Sequence, residues 1–157
     1  SSTGSDGTDT LYGEAGDDIL IGGGEDDYLF GGADDDTLSG GTGSDELTGG
    51  TGADLFILED TSDTITDFDA GDDSLDITEL LEGLSDAPDA SASTDAIAEF
   101  LSSHVSVTDG AVKVDGADVA SFGNNSDFDS DNSGTVNSSD TVSIIYNDQE
   151  YTINVDG

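Results

Sequence analysis

Aspartate recurs at intervals of nine residues through the first part of the chain: Asp9, Asp18, Asp27, Asp36, Asp45 and Asp54. Asp63 keeps the interval once more. A carboxylate delivered at a fixed period is a hard oxygen donor returned again and again to one place in a repeating fold. Rows of such donors repel one another unless a cation sits between them. Carboxylates mixed with main-chain carbonyls suit Ca²⁺, whose shell is large and flexible, better than Mg²⁺ with its strict octahedron.

The elements that must position these aspartates are written in the same stretch. From Gly4 to Ile57 the chain reads as six uninterrupted nonapeptides: GSDGTDTLY, GEAGDDILI, GGGEDDYLF, GGADDDTLS, GGTGSDELT and GGTGADLFI. The first column is always Gly, the sixth always Asp, and the eighth is Leu11, Leu20, Leu29, Leu38, Leu47 and Phe56. Such self-similarity decides architecture before any local propensity does. The Gly-rich half of each unit can bend through positive φ. The last three residues of each unit alternate outward, inward, outward, as a short strand does. Two units, 18 residues, then make one coil of two parallel strands and two turns. The apolar eighth residues stack into a narrow core, and the sixth-position aspartates fall in the turns.

The pattern resembles the RTX (repeats-in-toxin) nonapeptide, G-G-x-G-x-D-x-U-x. That resemblance implies an all-β fold: a parallel β-roll, or β-solenoid, with several Ca²⁺ ions held between turns two repeats apart. It implies ligands from the sixth-position carboxylates and from loop carbonyls, here those of Gly16, Gly23, Gly32, Gly41, Gly43 and Gly50. Turns beginning at Gly4, Gly22 and Gly40 would stack on one side, and those beginning at Gly13, Gly31 and Gly49 on the other. The sequence departs from the pattern at Ser5 and Glu14 in the second column and at Glu25 and Asp34 in the fourth. Glu25 and Asp34 either strain their turns or add carboxylate ligands.

Charge sharpens the expectation. Thirty-eight acidic residues face one basic residue, Lys113, for a formal net charge of −37. This sign disfavours nucleic acid and anionic membrane surfaces as partners and calls for bound cations. An acidic surface adapted to high salt accounts for the same composition. There is no cysteine, so neither disulfides nor thiolate metal sites arise. No apolar run approaches a membrane span, and membrane insertion is not expected. Ser1-Ser2-Thr3 leads directly into the first repeat, and the chain is expected to be part of a larger, extracellular polypeptide.

Beyond Ile57 the period decays. Leu58 to Thr66 is a seventh repeat without glycines, and Asp72 is expected to hold the aspartate register once more. The stretch from Asp63 to Leu81 resembles D-x-I-x-D-F-x-x-G-x-D-x-I-D-L-S, a motif that follows the repeats in substrates of type I secretion. The resemblance implies a targeting region and transient engagement of the secretion machinery. Physically, Phe68, Leu75, Ile77, Leu80 and Leu81 are placed to cover the end of the leucine stack. The expected division is 1–66, the roll, and 67–157, a small β-rich capping module with one short helix. The helix starts at Ser93 or Thr94 and carries Ile97, Phe100 and Leu101 on one face. One hairpin joins Val105–Val107 to Val112–Val114 through Asp109-Gly110. A second joins Val142–Tyr146 to Tyr151–Val155 through Asn147-Asp148.

Between the hairpins, Asp127, Asp129 and Asp131 put three carboxylates on one side of a tight loop. EF-hand spacing fails there, because Gly134 comes late and Ser138 stands where a bidentate Glu belongs. Asp140 closes the loop if two residues are inserted. The stretch is either an extra Ca²⁺ site or a solvated acidic loop. No G-x-S-x-G elbow or H-E-x-x-H occurs, His104 is the single histidine, and no enzymatic activity is expected.

The functional expectation is a calcium-dependent C-terminal domain of a large secreted bacterial protein, an adhesin. It would fold on meeting Ca²⁺ outside the cell. The competing readings are a calcium-stiffened spacer, an ice- or carbohydrate-binding face, or the non-catalytic domain of a secreted protease or lipase. An ice-binding face needs a regular row of small hydroxyl residues, and the outward seventh column (Thr10, Ile19, Tyr28, Thr37, Glu46, Leu55) is irregular.

Overall fold

In the computed structural model, residues 1–60, 62–89, 91–108, 111–122 and 141–155 are described. Alternate repeats feed alternate sheets. β1 (Ser2–Thr3), β3 (Ile19–Gly24), β5 (Thr37–Thr42), β7 (Leu55–Ile57) and β9 (Ser74–Asp76) build one sheet. β2 (Thr10–Ala15), β4 (Tyr28–Ala33), β6 (Glu46–Thr51) and β8 (Asp63–Ile65) build the other. All these pairs are parallel, and in the repeat array the register advances by 18 residues, as in Leu20 on Leu38 and Leu29 on Leu47. The molecule is a parallel β-solenoid with a capping region and, among the described residues, two helices.

The strands are longer than the three residues expected from the sequence. β2 to β6 each run six residues, through the seventh to ninth positions of one repeat and the first three of the next. The inward residues are the eighth-column leucine and the first-column glycine, a period of two that only an extended strand supplies. The bend between strands falls at the fourth to sixth positions, and positive φ in the second column, as at Gly23 and Gly32, leads into it. Leu20, Leu29, Leu38, Leu47 and Phe56 are fully buried.

The expected register at Asp72 is corrected by one residue. Leu55 lies beside Ser74 and Phe56 beside Leu75, so the last coil carries one extra residue. Asp69 O accepts from the amides of both Asp72 and Asp73. That tight turn absorbs the insertion and puts Asp73 where Asp72 was expected.

The C-terminal half extends the same two sheets. After α1 (Thr78–Glu82), α2 (Thr94–His104) begins at Ser93, whose side chain accepts from Ala96 N at 3.3 Å. β10 (Val105–Thr108) pairs antiparallel with β11 (Ala111–Val114), as the first hairpin requires; its Asp109-Gly110 turn lies outside the described residues. β12 (Ala117–Phe122), which the sequence did not announce, pairs parallel with β8. β13 (Thr141–Tyr146) and β14 (Gln149–Asn154) form the second hairpin. Its turn residues Asn147 and Asp148 both have positive φ, the backbone of a tight two-residue turn. β13 continues the other sheet beside β9. Val107 bridges to Val155 and joins the sheets at this end.

Phe68, Leu75, Ile77 and Leu81 are buried, and Leu80 packs against the core half-exposed. Phe68 lies between Phe56 and Phe122, with ring centroids 6.0 and 5.1 Å away. The apolar core therefore runs unbroken from the repeats into the cap. Among the described residues no helix is long and apolar enough to cross a membrane.

Candidate metal centre

The two rows of turns separate the periodic aspartates by parity. Asp9, Asp27, Asp45 and Asp63 stack along one side, and Asp18, Asp36 and Asp54 along the other, where Asp73 completes the row. From Asp27 onward each carboxylate is fixed by the preceding coil. Oδ1 of Asp27, Asp36, Asp45, Asp54 and Asp63 accepts from the amide of the aspartate 18 residues earlier, at 2.7, 2.8, 2.8, 2.9 and 3.2 Å. Asp54 N donates to Asp73 Oδ1 at 2.9 Å.

This grip buries the groups. Asp27, Asp36, Asp45 and Asp63 are 1, 2, 2 and 1 % exposed. In each, Oδ2 is buried without a hydrogen-bond partner. A buried, unpartnered carboxylate oxygen is costly. Burial accordingly pushes the Asp36, Asp45 and Asp54 carboxyls up, and those of Asp63 and Asp73 up to about 7. The amide bonds oppose this rise, and neighbouring carboxylates along the row add to it.

The first-column glycines make room for these oxygens. A Cβ on Gly40 would collide with the Asp45 carboxylate. On the second column, a Cβ at Gly41 or Gly50 would meet the carbonyl oxygen of Gly23 or Gly32 below it. On the fourth, Gly43 faces the carbonyl of Glu25. The turns thus hold main-chain oxygens and carboxylates close together between coils. No group of three or more acidic side chains converges to hold a metal among the described residues, so an ion here must draw several of its oxygens from the main chain. The donors are all hard oxygens, and the orphaned Oδ2 atoms lack only a positive partner: the residues fit Ca²⁺.

Glu25 and Asp34 take the fourth-column backbone conformation at φ +70° and +77°, and Glu14 the second-column one at +75°. These are left-handed values that a Cβ resists. Asp34 Oδ2 accepts from Gly16 N at 3.1 Å, so it braces the neighbouring coil; the Glu25 side chain is exposed. Gly16 N also donates to Ala33 O at 3.1 Å, and Gly50 N donates to Asp67 Oδ2 at 2.8 Å. Asp127, Asp129, Asp131 and Asp140 lie outside the described residues.

The fifth-column acids brace the turns as well. Asp17, Asp26 and Asp35 accept from the amides of Asp35, Ser44 and Ala53 in the following coil, at 3.3, 3.0 and 2.9 Å. Sequence reasoning missed Asp60, Asp67 and Asp73, which accept from amides 17, 18 and 19 residues earlier. The His104 ring lies 2.9 Å from Phe100 O and 3.3 Å from Asp86.

Two stacked rows of turn carboxylates on a parallel roll define a calcium-binding repeat module. The RTX calcium-binding nonapeptide repeat model matches residues 3–38 and 30–65. Among solved structures, the C-terminal domain (RV) of MpAFP is 51% identical to this chain. The match covers 88% of this chain and 99% of that one, with a TM-score of 0.69. The AlgE6R3 subunit of the Azotobacter vinelandii mannuronan C5-epimerase is 36% identical over 69% of this chain and 60% of that one, with a TM-score of 0.47. No curated protein sequence matches. The chain belongs to the RTX family of calcium-binding nonapeptide-repeat proteins.

Proposed function

We propose that the chain is a calcium-triggered folding domain of a larger extracellular bacterial protein, with residues 1–66 as the calcium-binding roll and 67–157 as its cap. The observation that carries this reading is the set of buried Oδ2 atoms without partners on Asp27, Asp36, Asp45 and Asp63. Asp9, Asp18 and Asp54 occupy equivalent turn positions and complete the carboxylate ligand set, with the turn carbonyls beside them. Without a cation, aligned carboxylates repel and the thin core cannot offset chain entropy. An ion that binds only the folded chain stabilises it by RT ln(1 + [L]/Kd) at each site, and several sites make folding steep in calcium.

Such a chain is unfolded where calcium is scarce and folded where it is abundant. That behaviour suits passage through an export channel, and the Asp63–Leu81 motif supports type I secretion as the route. The parent is read as an adhesin, and no catalytic role is assigned to this domain. Circular dichroism in chelator and in millimolar Ca²⁺ tests the coupling: coil should convert to β. A chelated chain that keeps its full β signal and melting temperature refutes it. A passenger fused to residues 1–157, expressed with an active type I exporter, should appear outside the cell; retention inside removes the targeting role.

A further inference from the structure

The two rows end differently, and the difference has a chemical consequence. In the row ending at Asp73, both oxygens of the last carboxylate are taken. Oδ1 accepts from Asp54 N at 2.9 Å and Oδ2 from Asp69 N at 2.8 Å. The nearby Asp67 is also satisfied, by Gly49 N at 2.9 Å and Gly50 N at 2.8 Å. Here carboxylates stand in for the main-chain carbonyls that a further coil would have supplied, and they cap the ladder.

In the row ending at Asp63, Oδ1 accepts from Asp45 N and Oδ2 is buried without a partner. Asp60 reaches back to Gly43 N with Oδ2 at 3.0 Å, as Asp67 does in the other row. Its Oδ1, however, is buried and unpartnered. Asp60 and Asp63 thus brace the same turn of the preceding coil, at Gly43 N and Asp45 N. Glu59 is engaged elsewhere, by Ser39 Oγ at 2.9 Å. Two carboxylates with one buried free oxygen each thus close this row, where the seventh repeat has lost the glycines of its pattern.

We propose that Asp60, with Asp63, supplies the carboxylates of an additional Ca²⁺ site at the end of the Asp9–Asp63 row, and that the Asp18–Asp73 row has no counterpart. Main-chain oxygens of the adjoining turns complete the shell. The inference rests on the calcium reading of the turns. It adds a ligand that the nonapeptide pattern does not contain and an asymmetry between the rows that the pattern does not predict.

The ion count of the folded chain tests it, measured by native mass spectrometry and equilibrium dialysis. D60N keeps an oxygen to accept from Gly43 N but loses the charge, and it should bind one Ca²⁺ fewer than wild type. E99Q, an equal charge change on the exposed face of α2, should bind the wild-type number. D60N with an unchanged count and affinity overturns the proposal. A wild-type chain that binds no calcium overturns the reading of the whole array instead. A crystal structure of the wild type grown in calcium decides the matter if D60N does not fold. An ion bonded to Asp60 Oδ1, with none at Asp67 or Asp73, is the expected result. Ions elsewhere in the rows but none at Asp60, or an ion at Asp73, overturn it.

Discussion

Replacing Asp63 by Asn should stabilise the calcium-free chain and weaken the calcium-bound one. The side chain is 1 % exposed, and burial raises its carboxyl from the ordinary 3.8 to about 7. At about 1.4 kcal/mol per pH unit, ionised Asp63 costs the metal-free fold on the order of 4 kcal/mol. The raised value fixes the sign. The cost is absent below pH 3.8, where both states are protonated, grows as pH rises, and is complete above pH 7. Asn carries no such cost, and its amide oxygen still accepts from Asp45 N. D63N should therefore gain on the order of 4 kcal/mol in chelator at pH 8, roughly 2 at pH 5.5 and nothing near pH 3. Urea titrations followed by circular dichroism, with a stabilising osmolyte to bring midpoints into range, read this directly. In calcium the sign inverts: a neutral ligand replaces a charged one, and the calcium midpoint should rise roughly tenfold or more. A D63N chain that is destabilised in chelator at pH 8, or whose gain is the same at every pH, would refute the reasoning.

The same burial predicts proton release. The Asp63 carboxyl near 7 should shed its proton when calcium loads its row at pH 6.5 and shed almost none at pH 8.5; calorimetry in buffers of different ionisation enthalpy measures the difference. Gly40→Ala should raise the calcium midpoint and lower stability, because its Cβ would occupy the space of the Asp45 carboxylate. Leu38→Ala removes a fully buried side chain from the stack and should cost about 2–5 kcal/mol in calcium-loaded urea unfolding. Glu25→Gly relieves a left-handed residue at φ +70° and should raise stability by about 0.5–1 kcal/mol, net of the greater freedom of glycine in the unfolded chain.

The roll was legible because its information is periodic. A nine-residue column of Gly, Asp and Leu names the turn, the carboxylate and the core position together, and two units per coil follow from the opposed faces of paired strands. The ends of the roll were less legible because nothing there repeats. The one-residue shift that puts Asp73 in the row of Asp54 depends on a turn at Asp69 whose two amide bonds are visible only in three dimensions. The parallel pairing of β12 with β8 and of β13 with β9 joins residues far apart in the chain, and no local pattern encodes a partner at that distance.

The sequence by itself determined the coil, its acidic turns and the need for a hard cation, since spacing and charge suffice for those. Tertiary structure alone decided which carboxylate oxygens are satisfied. An amide reaches both oxygens of Asp73 and only one each of Asp60 and Asp63. Hydrogen-bond supply at a coil end depends on where the cap puts its backbone, and the aspartates at the two ends look the same when written as letters.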